Sequence, residues 1–325
     1  FFVASFSWIR KPFQSPALFQ PPTVRHNIMN RENIYYSQLS EAIKFAEYNL
    51  FPYKRISLIL LDNIVENLLS AKANYYARHW LMLNKLSKPD CFKIIKSLNR
   101  FENATKFSNQ FEIIGNKEKP LLEYCHKARN NAYHYLYVEE RIADCCILML
   151  SEFIYKNIVR LNDFGIYSIE HEEKRNILAI NNLNSTDELL EKIKSYCENS
   201  EKPSDIFSEM IIGFLNEINE FIESNANEDL ETFNSIIKEQ YLNEIQTIEQ
   251  LESIEKPYLE KLSYFKKGWK DFKATDFVNL KNQSLNLKKL STIDAFEKFI
   301  NIFNRVYPYY LLMKFYVVEQ ENQAY

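Results

Sequence analysis

The sequence predicts an all-α protein, and three observations lead to that prediction. Glycine occupies only 4 of the 325 positions, whereas tight β-turns and phosphate-binding loops need glycine where φ is positive. Apolar residues recur at helical spacing over most of the chain after residue 33. Hydrophobic residues make up 46% of the chain, which is enough for a sizeable core and excludes a disordered or collagen-like protein. No G-x-G-x-x-G, P-loop or G-x-S-x-G motif occurs, so any nucleotide chemistry has to use side chains.

Prolines and apolar spacing divide the first part of the chain into elements. Residues 1–33 hold four prolines among scattered aromatic residues, a pattern typical of an irregular arm. Helical spacing predicts one helix over residues 34–50 and a longer one over residues 56–71, whose apolar stripe is wide enough to be buried on much of its surface. Pro89 and Pro120 are favourable first residues for two later helices.

The rest of the chain continues the helical pattern. The run that begins at Pro120 extends to about Leu161, with a break near Asn130-Asn131. An irregular stretch over residues 165–184 then marks a domain boundary. Further helices are predicted over residues 185–199, 203–223 and 228–255 and after Ser291, the last with a kink at Pro308. The predicted architecture is an irregular N-terminal arm (1–33), a helical domain (34–165) and a second helical domain (166–325).

Charge is distributed unevenly over these three regions. The net charge is +3 over residues 1–33, +4 over 34–165 and −10 over 166–325. Because an acidic surface repels phosphate, we expect any nucleic-acid site in the first half of the chain. The chain has no run of about 18 apolar residues, which predicts no membrane span. Five cysteines without C-x-x-C spacing and an opening segment unlike a signal peptide predict a reducing, cytoplasmic setting.

The most informative local feature is the segment over residues 127–135, Lys-Ala-Arg-Asn-Asn-Ala-Tyr-His-Tyr. On a helix, Asn130 and His134 are four residues apart and share one face, and the long side chain of Arg129 reaches round to the same place. The three polar groups can then converge on one phosphate. The alternative is that Arg129 caps a carbonyl group and that His134 is an ordinary polar residue of the helix.

Two parts of the sequence together resemble the HEPN superfamily, the helical "higher eukaryotes and prokaryotes nucleotide-binding" domains. They are Arg129-Asn130-x-x-x-His134 and the earlier helical run Leu-Leu-Asp-Asn-Ile-Val-Glu-Asn-Leu-Leu over residues 60–69. The resemblance covers residues 34–165. It implies an antiparallel helical bundle that forms a homodimer and, in many members, a metal-independent endoribonuclease of toxin or phage-defence systems. Other members have lost catalysis and only bind.

Cleavage of RNA without a metal uses the 2′-hydroxyl as an internal nucleophile, so DNA should survive. The reaction needs a base for that hydroxyl, an acid for the leaving 5′-oxygen and a cation for the phosphorane. We assign His134 to proton transfer, Arg129 to phosphate binding and transition-state charge, and Asn130 to orienting His134 or the phosphate. Because one motif supplies one such histidine, a two-fold symmetric homodimer is the expected catalytic unit.

Neighbouring residues are assigned supporting roles. The candidates for substrate binding are Lys127, Asn131 and Tyr133. Base stacking is the role considered for Tyr133, and packing is the alternative that we favour for the tyrosines. Asp62 and Glu66 lie four residues apart on the earlier helix and either orient the imidazole or pair with Arg129, or else belong to a solvated face or a structural salt bridge. His126 lies eight residues before His134 and is either part of the same cleft or a surface residue, and we favour the surface.

The remaining expectations concern metals, cofactors and partners. The histidine spacing gives no metal-ligand set, and no cofactor is expected. The expected partners are RNA, a second copy of the chain and an antitoxin or regulatory protein. Some toxin members carry His-x-Tyr, whose tyrosine an antitoxin modifies, but Leu136 stands at that place here. The alternative function is a catalytically silent helical protein that binds or scaffolds partners.

Overall fold

The computed structural model describes residues 37–48, 50–134, 140–162, 186–251 and 269–323. These residues form helices joined by short turns, without any strand, which confirms the all-α fold class. The helices are α1 (37–47), α2 (Phe51–Met82), α3 (Lys88–Ser97), α4 (Phe101–Gln110), α5 (Glu118–His134), α6 (Glu140–Asn162), α7 (Thr186–Asn199), α8 (Pro203–Asn225), α9 (Leu230–Leu251), α10 (Ala274–Leu287) and α11 (Thr292–Gln323). None of the helices in these ranges has both the length and the apolar character to span a membrane. The predicted arm and the irregular stretch over 165–184 lie outside the described residues.

Helix α2 is the centre of the first part of the fold. It packs against α3, α4, α5 and α6. The side chains that it buries completely include Leu58, Leu61, Ile64, Val65 and Leu69. Their spacing of mostly three and four residues places them on one broad side of the helix. The predicted apolar stripe is confirmed, and the helix is longer at both ends than its sequence pattern indicated.

Local side-chain signals account for several helix starts. The hydroxyl of Ser87 accepts a hydrogen bond from the backbone N–H of Asp90 at 3.2 Å and caps α3. The carboxylate of Asp229 caps α9 through the N–H groups of Glu231 and Thr232. Short polar side chains thus satisfy N–H groups that have no partner inside their own helix.

Two predictions about helix α5 were wrong. Pro120 is its third residue rather than its first, because the carboxylate of Glu118 accepts the N–H of Gly115 at 2.7 Å and starts the helix earlier. The break near Asn130-Asn131 is absent, since α5 continues to His134. The amide oxygen of Asn130 accepts a hydrogen bond from Arg129 and so does not compete for backbone groups of the helix.

Helices α8 and α11 are the centre of the second part of the fold. They pack against each other, and α9 and α10 pack against both. The rings of Phe207 and Phe299 are stacked with centroids 4.3 Å apart, and those of Phe214 and Tyr310 are 4.4 Å apart. Helix α11 continues across Pro308. Pairs of aromatic side chains therefore recur along the contact between these two helices.

The two parts of the fold share one cluster of buried apolar residues. Helix α6 packs against α2 and α5 as well as against α7 and α8, and α5 also contacts α11. Lys117, next to the start of α5, pairs with Asp294 at 2.8 Å and Glu297 at 3.2 Å on α11. Helix α5 is therefore held by elements from both parts.

Candidate active site

Helix α5 brings the residues of the predicted motif together through its backbone. Arg129, Asn130 and His134 all lie within this continuous helix. Successive residues are rotated by about 100° around a helix axis, so Asn130 and His134 share a face that Arg129 flanks. The side chain of His134 lies outside the part of the chain that the structure describes.

Arg129 is held by polar side chains from two helices. Its Nη2 atom donates a hydrogen bond to Oδ1 of Asn63 on α2 at 2.7 Å, and its Nη1 atom donates to Oδ1 of Asn130 at 2.9 Å. Its Nε atom lies 3.5 Å from Oδ2 of Asp62, and its side chain is 18% exposed. None of these partners is a backbone carbonyl group, which the capping interpretation of Arg129 required. The guanidinium therefore has a fixed orientation and keeps some access to solvent.

Asp62 is fully buried on α2 and contacts two basic side chains of α5. Its Oδ2 atom lies 2.8 Å from Nδ1 of His126 and 3.5 Å from Nε of Arg129. Its Oδ1 atom has no hydrogen-bond partner among the described residues. A carboxylate in this position needs nearby positive charge to offset its desolvation. Asp62 is therefore not on a solvated face, and its contact with Arg129 fits both of the remaining alternatives, a structural salt bridge and a pairing that supports the site.

His126 belongs to this cluster, which was the less favoured of the two alternatives for this residue. It was expected at the surface, but only 15% of its side chain is exposed. Its ring is stacked on that of Phe101 of α4, with centroids 3.8 Å apart and planes 1° from parallel. The hydrogen bond with Asp62 and this stacking fix the ring in one orientation. Asp62, Asn63, His126, Arg129 and Asn130 are called the polar network below.

Glu66 lies one turn beyond Asp62 on α2 and is partly buried. Burial raises the pKa of its carboxyl above the ordinary value, and repulsion by Asp62 adds to that effect. Electrostatic attraction to His126 and Arg129 lowers the pKa of Glu66 and offsets part of this rise. Glu66 therefore remains protonated to a higher pH than an exposed glutamate does.

Replacing Glu66 by glutamine is expected to raise stability at neutral pH and to have little effect near the ordinary pKa of glutamate, about pH 4. A carboxyl with a higher pKa in the folded state binds more protons when folded, so its contribution to stability falls as the pH rises above its ordinary value. Because glutamine does not titrate, the variant does not lose stability in this way as the pH rises. Thermal unfolding of both proteins at a series of pH values measures the difference. The matched control is Glu220→Gln on the exposed side of α8, and a difference that persists unchanged at low pH would contradict the prediction.

One group within the described ranges has the composition of a metal site. The candidate ligand atoms of Asp62, Glu66 and His126 lie within 4.8 Å of one another. Helical spacing could not indicate this set, because its residues come from two helices. However, Nδ1 of His126 is engaged with Asp62, and the positive charge of Arg129 faces the same carboxylate oxygen. These contacts favour a hydrogen-bonded charge network over a bound cation.

The predicted substrate-binding residues lie on the outer side of α5. Lys127 is exposed, and Asn131 is partly buried. Tyr133 is 57% exposed, and the centroid of its ring lies 5.5 Å from the guanidinium carbon of Arg129, within the range of a cation–π contact. An exposed tyrosine next to a cation offers a surface on which a nucleic-acid base can stack.

Arg55 on α2 is a residue that sequence analysis missed. Its Nη2 atom donates a hydrogen bond to the backbone carbonyl of Ala132 at 2.6 Å. The last four carbonyl groups of a helix have no donors inside the helix, and a positive charge there is favourable to the helix dipole. Helix α2 therefore fixes the end of α5 at which His134 lies. No motif or spacing indicates a contact between residues this far apart in the chain.

A second polar cavity lies among α1, α2, α6, α7 and the start of α8 and has a volume of about 350 Å³. Lys54 and Arg141 line it. Lys54 pairs with Glu140 and Asp144, and Arg141 pairs with two further glutamates. Each cation of this cavity pairs with two carboxylates, whereas the single carboxylate that pairs with Arg129 among the described residues is shared with the histidine of the polar network. This cavity is therefore a poorer phosphate site than the surface beside Arg129.

Comparison with known proteins does not identify this site, since no protein-family model, curated protein or solved structure matches the chain. The function therefore has to be inferred from the polar network itself. Its chemical content is a fixed guanidinium, an imidazole oriented by a buried carboxylate, and a helix that ends in a second histidine.

Proposed function

We propose that this protein is a metal-independent endoribonuclease of the HEPN type, which cleaves RNA at a site shared by two copies of the chain. The observation that carries the proposal is the fixed guanidinium of Arg129. Asp62 and Asn63 hold it in a partly exposed position on the helix that ends at His134. A fixed fork of N–H donors matches two oxygens of a phosphate, and its charge persists at every pH at which RNA is handled.

The residues of α5 supply the functions that the reaction needs. The 2′-hydroxyl of a ribose attacks the adjacent phosphorus, and the bond from phosphorus to the 5′-oxygen breaks. Arg129 binds the phosphate oxygens and stabilises the charge that builds on them in the transition state. His134 transfers a proton, and Asn130 orients the phosphate or the imidazole. Lys127, Asn131 and Tyr133 bind the flanking nucleotides.

Two copies of the chain complete the site in this proposal. A two-fold axis near the exposed side of α5 brings the Arg129 and His134 groups of both protomers to one groove. The groove lies in the part of the chain with positive net charge, whereas residues 166–325 carry a net charge of −10 and repel RNA. The HEPN resemblance further leads us to propose a role in a toxin or phage-defence system, with an antitoxin or regulatory protein as partner.

The test is incubation of the purified protein with RNA, and with DNA of the same sequence, in the presence of a chelator. We expect RNA fragments with 2′,3′-cyclic phosphate and 5′-hydroxyl ends, and intact DNA. His134→Ala should lower the rate of cleavage by about 10²–10⁴-fold while the fold and the dimer persist, and His79→Ala on α2 is the matched control. Expression of the wild type, but not of His134→Ala, should arrest growth.

Three outcomes would contradict the proposal. They are cleavage that depends on a divalent cation, cleavage of DNA at the same rate, and a protein that is a monomer when it cleaves RNA. RNA that is bound by the wild type but never cut would instead favour the catalytically silent binding protein.

A further inference from the structure

The contacts of His126 leave its second ring nitrogen available for chemistry. The contact of Asp62 with Arg129 favours this carboxylate as a hydrogen-bond acceptor, and we therefore assign Nδ1 of His126 as the donor to its Oδ2 atom at 2.8 Å. The lone pair of the neutral ring is then on Nε2. This atom has no hydrogen-bond partner among the described residues. It is also not one of their polar side-chain atoms that are closed off from solvent and lack a partner. Nε2 is therefore a partly accessible base with a fixed direction.

His126 is surrounded by charged groups and lies close to the position at which Arg129 would bind a phosphate. Asp62 and Glu66 face it from α2, and Glu102 follows the stacked Phe101 on α4. On α5, Arg129 contacts the same oxygen of Asp62 that His126 contacts. The imidazole and the guanidinium are thus held next to each other by one carboxylate oxygen.

We propose that His126 is the general base of RNA cleavage and that His134 is the general acid, a division of roles that rests on the endoribonuclease function proposed above. Nε2 of His126 takes the proton of the 2′-hydroxyl as that oxygen bonds to phosphorus. His134 gives a proton to the 5′-oxygen as its bond to phosphorus breaks. The products are a 2′,3′-cyclic phosphate and a 5′-hydroxyl, and proton exchange with water restores both imidazoles.

The base and the acid of one active site come from different protomers. His126 and His134 are eight residues apart on α5, which corresponds to about 12 Å along the helix axis. Each group has to come within about 3 Å of an oxygen on the same phosphorus, and the ring of His126 is fixed by its stacking on Phe101. When two α5 helices lie antiparallel about a two-fold axis, His126 of one copy faces the partner's His134. Arg129 is then near the centre of that pairing.

The first experiment compares the rates and pH profiles of three variants. His126→Ala should cleave RNA about 10²–10⁴-fold more slowly than the wild type. His79→Ala should match the wild type, although its ring is also parallel to an aromatic ring, that of Tyr75, at 6.1 Å. The wild-type rate should rise with pH as the base loses its proton and fall as the acid loses its own. His126→Ala should lack the rising limb, and His134→Ala should lack the falling limb.

A modified substrate separates the base from the acid. When sulfur replaces the 5′-oxygen, the leaving group needs no proton, so this RNA should restore cleavage to His134→Ala but not to His126→Ala. His126→Gln keeps a hydrogen-bond donor for Asp62. It is the variant to compare if His126→Ala does not fold. If His126 only supports Asp62 and Arg129, both limbs of the pH profile remain in its variants, and the proposal is overturned.

A heterodimer tests the exchange between protomers. Chains with His126→Ala and His134→Ala are co-expressed with different affinity tags, and the mixed dimer is purified. It should contain one intact site and recover about half of the wild-type rate, whereas each homodimer keeps only the low rate of its own variant. An inactive heterodimer would overturn the pairing across protomers. Wild-type protein that cuts no RNA would refute the endoribonuclease function itself, while an active His126→Ala variant would refute only the role of His126.

Discussion

Replacement of Arg129 by alanine is expected to lower the rate of RNA cleavage by about 10²–10³-fold while the helical fold persists. The guanidinium is the only cation of the polar network whose charge does not depend on pH. Its hydrogen bonds to Asn63 and Asn130 fix its direction before RNA binds, so no rotational freedom is lost when the charged transition state forms. His126 remains as a partner for Asp62 in the variant, so the buried carboxylate keeps one compensating contact.

Two further variants decide what the guanidinium contributes. Arg129→Lys keeps the charge but cannot donate to Asn63 and Asn130 in the same planar geometry, and its rate should lie between those of the wild type and Arg129→Ala. Arg78→Ala removes the same charge from an exposed position of α2 and should leave the rate unchanged. The measurement is the initial rate on a labelled RNA, with circular dichroism as the check on folding. Unchanged cleavage by Arg129→Ala, or an equal loss in Arg78→Ala, would contradict the assignment.

Replacement of Phe299 by alanine is expected to lower the free energy of unfolding by about 3–5 kcal/mol. Phe299 has no exposed surface, and its ring contacts Phe207 of α8 at 4.3 Å and Phe303 at 5.3 Å between centroids. Truncation therefore leaves a cavity between α8 and α11 that the surrounding rings cannot fill without leaving their own positions. The loss combines the transfer energy of the ring with the energy of that cavity.

Equilibrium unfolding in urea measures this change. Val278→Ala is the matched control because Val278 is 63% exposed on α10, and its effect should stay within about 0.5 kcal/mol. A loss below about 1 kcal/mol for Phe299→Ala would show that the α8–α11 contact contributes little to stability.

Much of the fold could be predicted because its larger helices bury apolar residues at helical intervals. Helices α2, α8 and α11 follow this rule, and their existence was predicted from the spacing of apolar residues alone. Helix α4 was missed because its inward side includes Thr105 and Ser108, both fully buried. Thr105 donates to the backbone carbonyl of Phe101 at 3.0 Å, and Ser108 donates to that of Leu69 at 3.4 Å. A buried helix face that contains such hydrogen-bonded polar residues cannot be recognised from the spacing of apolar residues.

In the candidate site, the residues that lie on one helix could be predicted more readily than the contacts between two helices. Arg129 and Asn130 are neighbours in sequence, and the helix that carries them could be predicted from local spacing. The position of Asp62 depends on a partner 64 residues away, His126, and local spacing carries no information about a contact between two helices. The same reason applies to Arg55 and its contact with the end of α5. Side chains within one helix were therefore predictable, whereas the contact between Asp62 and Arg129 was one of several alternatives among which the sequence could not decide.

The single carboxylate oxygen that contacts both His126 and Arg129 limits how this chain can evolve. Loss of either basic residue leaves the other as the sole compensation for a buried charge, and loss of Asp62 releases both at once. Substitutions at positions 62, 126 and 129 should therefore be inherited as a set. Homologues that keep Asp62 should keep both basic residues, and lineages that have given up catalysis should show an amide or an apolar residue at position 62 together with changes at the other two.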